Sequence, residues 1–299
     1  MPANLPAHAT KHLPVLAYTL PDRTLVRIAQ DNSSPDSTGR TVWLGAQVLS
    51  VYLHDLLSSS SSASDRATRR AIDLGSGTGL VALSLAALGY TTLATDLPAL
   101  VSGLLGANVS SESPAPFPPS RLAAHPLDWF TAPEDLSFPR GHAPPFDLIA
   151  TADTVYAPAL SAPLLRTLAH LALAGRGGRP HHRPPAPVFL ALERRDPALV
   201  DAFLDLARGD EYGFKCARVE HARLRRLVED PEGTLAWEDE ADWDGVEVWK
   251  LKLGREAVAR ARAKSTKGAG AGDRGQAGDR GEIQRGVRAA PRGQGRDVA

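Results

Sequence analysis

The stretch Asp73-Leu74-Gly75-Ser76-Gly77-Thr78-Gly79 constrains this chain more than any other. It joins a short apolar strand reading at Ala71-Ile72 to an apolar helical run from Leu80 to Leu88. Three glycines at alternate positions let the backbone turn sharply and bring main-chain N–H groups close to a ligand, an approach that side chains would block. Gly89 ends the helical run, Thr91-Thr92-Leu93-Ala94-Thr95 reads as a second strand, and Asp96 falls at its tip. A carboxylate there is placed to accept both hydroxyls of a ribose. It is also placed to cap a helix running from Leu97 to Leu105, and one residue can do both.

Glycine spacing narrows the ligand. A dinucleotide fingerprint puts its third glycine one place later, where this chain has Leu80. The acidic-x-Gly-x-Gly-x-Gly spacing is the form used for S-adenosylmethionine. Beyond it the alternation continues. Arg121–His125 reads as a third strand, Phe146–Thr151 as a fourth, and Leu160–Leu173 as a helix. Pro187–Glu193 is a fifth strand and Pro197–Ala207 a helix. Phe214–Val219 and Val246–Leu253 are strands with no long crossover helix placed between them, as suits an antiparallel pair closing a parallel sheet. The expected fold class is therefore α/β, a doubly wound, mostly parallel sheet with an antiparallel final strand. Ligands of such sheets bind at the carboxyl ends of the strands, the edge that carries Asp73–Gly79, Asp96, Asp128-Trp129 and Ala152-Asp153.

The 299 residues are ample for one sizeable core. No long apolar run suggests a membrane span, and the first twenty residues lack the pattern of a secretory signal. The single cysteine, Cys216, excludes an internal disulfide and a cysteine-rich metal site, which points to a reducing, cytoplasmic setting. His181-His182 lacks partnering ligands, so no metal is expected. The formal charge of zero hides an asymmetry: residues 254–299 hold eleven Lys/Arg against five Asp/Glu, leaving the remainder acidic by the same margin. The expected organisation is an N-terminal extension over 1–40 with short strands, a catalytic domain over 41–253 with a Gly/Pro/His-rich surface loop at 175–187, and a disordered basic tail over 254–299. The tail reads either as a solvated extension or as a weak arginine-based binder of RNA or anionic surfaces. Any other nucleic-acid role is not expected.

Several motifs outside the glycine loop carry a resemblance. Thr41-Val42-Trp43 precedes the helical Leu49–Leu53, Leu127-Asp128-Trp129 follows the third strand, Ala152-Asp153-Thr154-Val155-Tyr156 follows the fourth, and Leu192-Glu193-Arg194-Arg195 ends the fifth. From about Leu25 to Leu253 the chain resembles the seven-stranded, Rossmann-like class I methyltransferases, and within them family 16, the METTL21-like protein-lysine methyltransferases. Among fungal members the pattern is most similar to elongation factor methyltransferases, which implies a protein substrate, translation elongation factor 1-alpha. The resemblance further implies that Trp43, Asp73, Gly75, Ser76, Gly77, Gly79, Asp96, Leu97, Asp128, Trp129 and Ala152 form the S-adenosylmethionine site. It implies that Asp153 and Tyr156 serve the acceptor amine, in a chain expected to act as a monomer. Each has a plainer alternative: Trp43 and Trp129 as core residues, Asp153 as cap of the next helix, Tyr156 as packing on the sheet edge.

Alternative functions remain at this level. The turn after the fourth strand lacks the Asn/Asp-Pro-Pro-Tyr form of nucleic-acid amine methyltransferases, and Cys216 lies far from where a cytosine-carbon methyltransferase keeps its nucleophile. A small-molecule methyltransferase, or a module that binds the cofactor without turnover, also fits the scaffold.

Overall fold

A computed structural model describes residues 3–33, 38–110, 117–174 and 184–260. The His181-His182 pair, most of the 175–187 loop and the tail beyond residue 260 lie outside the described residues. In chain order, a one-turn helix α1 (Ala7–Thr10) leads into the antiparallel hairpin β1 (Val15–Thr19) and β2 (Leu25–Ala29). Helices α2 (Leu44–Ser60) and α3 (Ala63–Ala67) follow, and Ser62 and Asp65 cap the start of α3 reciprocally. Then come β3 (Arg70–Leu74), α4 (Leu80–Ala87), β4 (Thr91–Asp96), α5 (Pro98–Val101), α6 (Leu104–Val109), β5 (Leu122–Pro126), β6 (Leu148–Ala152) and α7 (Pro158–Leu173). The order closes with β7 (Val188–Glu193), α8 (Pro197–Arg208), β8 (Phe214–Arg218), α9 (His221–Val228) and β9 (Val246–Leu253).

Seven of these strands form one sheet in the order β5-β4-β3-β6-β7-β9-β8. All neighbours are parallel except β9, which runs antiparallel to β7 on one side and β8 on the other. Strand direction and side-chain alternation divide the apolar residues into two layers. Ala71, Ala94, Leu148, Ala150, Phe189 and Ala191 face the layer of α2 and α4. Ile72, Leu74, Leu93, Ile149, Val188, Leu190 and Leu192 face the layer of α7 and α8. The doubly wound α/β expectation is met, with the antiparallel strand lying between its two neighbours.

The structure refines four expectations. The helix expected from Leu97 onward is two pieces: Gly103 leaves helical geometry between α5 and α6, and a Cβ on Gly106 would stand 2.3 Å from the Val101 carbonyl oxygen. The last two strands pair antiparallel as expected, and the segment between them includes a short helix, α9, which buries Leu224 and Val228, so its apolar stripe is thin. The described residues expected to form an N-terminal extension pack into the domain, with Tyr18, Leu20, Val26 and Ile28 buried in the same core as α2. At the other end the order continues past 253: residues 255–260 are helical, Arg260 donates to the Asp210 carbonyl (2.6 Å), and a Cβ on Gly213 would meet Ala257. No helix among the described residues is long and apolar enough to cross a membrane.

Candidate functional site

The register of the parallel strands lines up their carboxyl ends: Leu74 lies beside Thr95 and Thr151, Asp96 beside Pro126, and Ala152 beside Ala191. Chain order reverses between β3 and β6, and a crevice opens outside such a reversal. A cavity of about 620 Å³ occupies it. It is bordered by the glycine loop, the start of α2, and the segments that follow β4, β5, β6 and β7. Twelve of the thirteen residues expected from sequence line it: Trp43, Asp73, Gly75, Ser76, Gly77, Asp96, Leu97, Asp128, Trp129, Ala152, Asp153 and Tyr156. The exception is Gly79, which lies behind the loop as the residue before α4, where a Cβ would press on Leu105 and Val109.

The loop owes its path to glycine. Gly75 and Gly77 have φ of +66° and +55°, in the left-handed region. A Cβ on Gly75 would stand 2.8 Å from Thr154 Cγ2 and 3.0 Å from the Trp129 ring, and one on Gly77 would stand 2.8 Å from the Gly39 carbonyl oxygen. The loop is therefore clamped between the segment after β6 and the segment before α2.

Asp96 is fixed from both sides. The Gly77 N–H donates to Oδ2 and the Leu97 N–H to Oδ1, each at 2.8 Å. Each carboxylate oxygen keeps lone pairs for a further donor. Burial raises its pKa against the pull of these two amides. Leu97, not Asp96, holds the cap position of α5. The Asp128 carboxylate accepts the Phe130 N–H (2.9 Å), and Arg166 donates to the Trp129 (3.0 Å) and Phe130 (3.3 Å) carbonyls, so the loop carrying Trp129 is tied to α7. Trp43 and Trp129 are only partly buried and both line the cavity, Trp129 with its other side packed on the core.

Asp153 is the most unusual residue here. Its φ is +56°, rare for a residue with a side chain, and its N–H pairs with the Ala191 carbonyl. It does not cap the next helix, α7, which starts at Pro158 after Ala157. Its carboxylate lies against the first turn of α2, whose cap position is held by Trp43 and has no side-chain cap of its own. Gly45 makes the room: a Cβ there would stand 2.5 Å and 2.6 Å from the two Asp153 oxygens. The amides of Glu193 and Ala46 act on the carboxylate, as suits an anion at a helix N-terminus. Burial, reinforced by the Glu193 charge, nevertheless pushes its pKa up to about 7. Oδ2 is enclosed without a hydrogen-bond partner among the described residues, as is Asp73 Oδ2, whose pKa burial also pushes up to about 7. Tyr156 is 51 % exposed at the rim, with Leu97 (52 %) and Phe130 (59 %); it does not pack on the sheet edge.

Sequence reasoning gave no role to several lining residues. Glu193 and Arg195 form an ion pair at the end of β7, and Gly39 and Thr154 meet the glycine loop. The Glu193-Arg194-Arg195 run was the visible signal. Gly39 carried none, because its partner is distant in the chain.

The residues present fit an adenosine-bearing sulfonium. The cavity volume suits a ligand of that size, Asp96 supplies acceptors for ribose hydroxyls, and Gly75 leaves the backbone bare beside the Trp129 ring. Two enclosed, unpartnered carboxylate oxygens give a cation something to compensate.

Comparison with known proteins agrees with this geometry. A family model described as "Lysine methyltransferase" matches residues 21–177, more than half of the chain. Protein N-lysine methyltransferase METTL21A of Danio rerio is 34% identical over 169 residues, covering 56% of this chain and 70% of its own length. Protein-lysine N-methyltransferase rrg1 of Schizosaccharomyces pombe is 30% identical over 141 residues, 46% of this chain and 44% of its own. Protein-lysine N-methyltransferase EFM2 of Saccharomyces cerevisiae is 33% identical over 151 residues, 45% of this chain and 34% of its own. This chain thus spans about half the length of most of the relatives it matches, rrg1 among them.

Proposed function

Because the chain belongs to the lysine methyltransferase family, we propose that it is an S-adenosylmethionine-dependent protein-lysine N-methyltransferase. The observation that carries this reading is Asp153: a carboxylate in left-handed backbone, set at a helix N-terminus, with one oxygen unpartnered beside the glycine-loop cavity and Tyr156 exposed at its rim.

The cofactor supplies an electrophilic sulfonium methyl. Asp96, fixed by Gly77 and Leu97, would hold the ribose hydroxyls, and Trp129 and Leu97 would border the adenine end. What remains is positioning, which can contribute much of the barrier reduction. The acceptor arrives as an ammonium with a reference pKa near 10.4, and losing its proton costs roughly 1.36 kcal/mol per unit between that value and ambient pH. Asp153 binds and orients the incoming ammonium, relieving its own uncompensated burial as it does so. Tyr156 lines the entry with its ring or hydroxyl. The proton leaves to water at the open rim, and the neutral amine is held for attack.

Translation elongation factor 1-alpha is our proposed acceptor, on the motif pattern of residues 41–53 and 152–156. The acidic balance of residues 1–253 suits a basic partner through long-range steering. We place the reaction in the cytoplasm and the enzyme as a monomer. The test is incubation of the purified chain with labelled S-adenosylmethionine and yeast lysate, with and without ribonuclease. Label in one protein band of elongation factor size, lost with Asp153→Ala, supports the reading. Ribonuclease-sensitive label, label in small molecules, or full labelling by the Asp153→Ala protein overturns it.

A further inference from the structure

Trp43 separates two spaces. One face of its surroundings is the main cavity; on the other lies a cleft of about 140 Å³ that shares Trp43, Glu193 and Arg195 with it and adds Lys11, Asp242 and Asp244. The Lys11 ammonium stands 3.8 Å from the centre of the Trp43 ring, and the Arg195 guanidinium 4.6 Å from the same ring. Four lysines occur among the described residues, Lys11, Lys215, Lys250 and Lys252, and Lys11 alone stands against residues that line the cavity.

We propose that Lys11 is a methyl acceptor for this protein's own site, modified in cis. The inference rests on the methyltransferase reading above. Three features support it. First, the backbone on both sides of Lys11 is held, and its ammonium rests on the Trp43 ring: Gln30 donates to the Thr10 carbonyl at 2.9 Å and to the Leu13 carbonyl at 3.0 Å. Lys11 is thus tethered within a side chain's length of Trp43, so its effective concentration at the site is high. Second, the amine is biased toward its nucleophilic form. Burial, then the Arg195 charge, lowers the Lys11 pKa against the opposing pull of Glu193 and Asp153. Third, Asp153, the carboxylate assigned to acceptor lysines, is close enough for its charge to act on Lys11.

In the step itself, the Lys11 ammonium first gives a proton to water. The neutral Nζ then forms an N–C bond to the sulfonium methyl as the S–C bond breaks. The electron pair of that bond stays on sulfur, which becomes a neutral thioether, and Nζ carries the charge as a methylammonium. Methylation keeps the positive charge and enlarges it, so the product still suits the Trp43 face.

The full chain is incubated with S-adenosylmethionine and digested, and the peptide containing Lys11 is read by mass spectrometry. The expected result is methylation at Lys11 at a fractional rate that does not change on dilution, lost in Lys11→Arg while lysate labelling persists. Lysate protein labelled with Lys11 unmodified overturns this inference alone; absence of label everywhere overturns the methyltransferase reading as well. A cofactor-free measurement tests the same point. In competitive acetylation, Lys11 should reach half-maximal reactivity at a lower pH than a model lysine peptide, and Arg195→Met should raise that pH. A Lys11 that titrates with the model peptide overturns the proposal.

Discussion

Gly45→Ala isolates the contact between Asp153 and α2. Gly45 sits in the first turn of α2 with ordinary helical backbone, so alanine fits the chain path there. On propensity alone the substitution favours the helix by up to about 1 kcal/mol. The added Cβ, however, would lie 2.5 Å and 2.6 Å from the Asp153 oxygens and 2.8 Å from Cγ. Ordinary contact requires the carboxylate to retreat by about 1 Å, and misplacement on that scale costs on the order of 100-fold in rate. That factor corresponds to about 2.7 kcal/mol of lost transition-state stabilisation. The retreat is not free to take any direction, because the Asp153 N–H is pinned to the Ala191 carbonyl and Glu193 lies close enough to raise its pKa. The variant should therefore melt at or near the wild-type temperature and bind the cofactor normally, since Asp96 and Gly77 are untouched, yet lose about two orders of magnitude in kcat/KM for the acceptor. Thermal melting, calorimetric titration and methyl-transfer kinetics on one preparation separate these. A folded, cofactor-binding Gly45→Ala protein with wild-type kcat/KM refutes the placement of Asp153 as the residue that orients the amine.

Two further outcomes follow from the same site. Asp96→Asn removes the charge that the Gly77 and Leu97 amides hold in place; cofactor affinity should fall roughly 10- to 100-fold, equal to about 1.4–2.7 kcal/mol, and an unchanged calorimetric Kd contradicts the ribose assignment. Asp73 and Asp153 are both pushed up to about 7 by burial, whereas an unfolded aspartate titrates near 3.9. At these two groups the folded state binds more protons between those values, so their contribution to the stability of the cofactor-free protein should fall as pH rises from about 4 to about 7 and then level off, while His54, His142 and His170, whose pKa values burial lowers, act in the opposite sense. Denaturant unfolding of the wild type and Asp153→Asn across that window isolates the carboxyl: the wild type should lose stability relative to the variant as pH rises, and an unchanging difference would show that Asp153 is not held as described.

The local part of the fold was legible in the chain because its signals are short-range. Strand Thr91–Asp96 and helix Leu80–Ala87 follow from an apolar run with Gly89 between them. The same holds for the position of Asp96 and Asp153 at strand tips. What failed was non-local. The Phe214–Arg218 and Val246–Leu253 strands read as neighbours, which they are, but their order beyond β7 depends on which edge each one finds. Helix α9 carries little apolar signal because four of its eight residues are Arg or His, and of the rest Leu224 and Val228 are buried with Leu227 packed beside them. The role of Gly45 had no local signature at all, since its reason is a carboxylate more than a hundred residues away.

The approach of Gly77 to Gly39 has a consequence for how such a sequence can change. With a Cβ on Gly77 the Gly39 carbonyl oxygen would be 2.8 Å away, and Gly39 itself has a φ of +82° with Leu100 against its open side. Two backbones touch here with no side chain between them, so neither position can accept bulk while the other stays in place. These two positions are constrained as a pair, and substitution at either one transmits its displacement to the other across the mouth of the cavity.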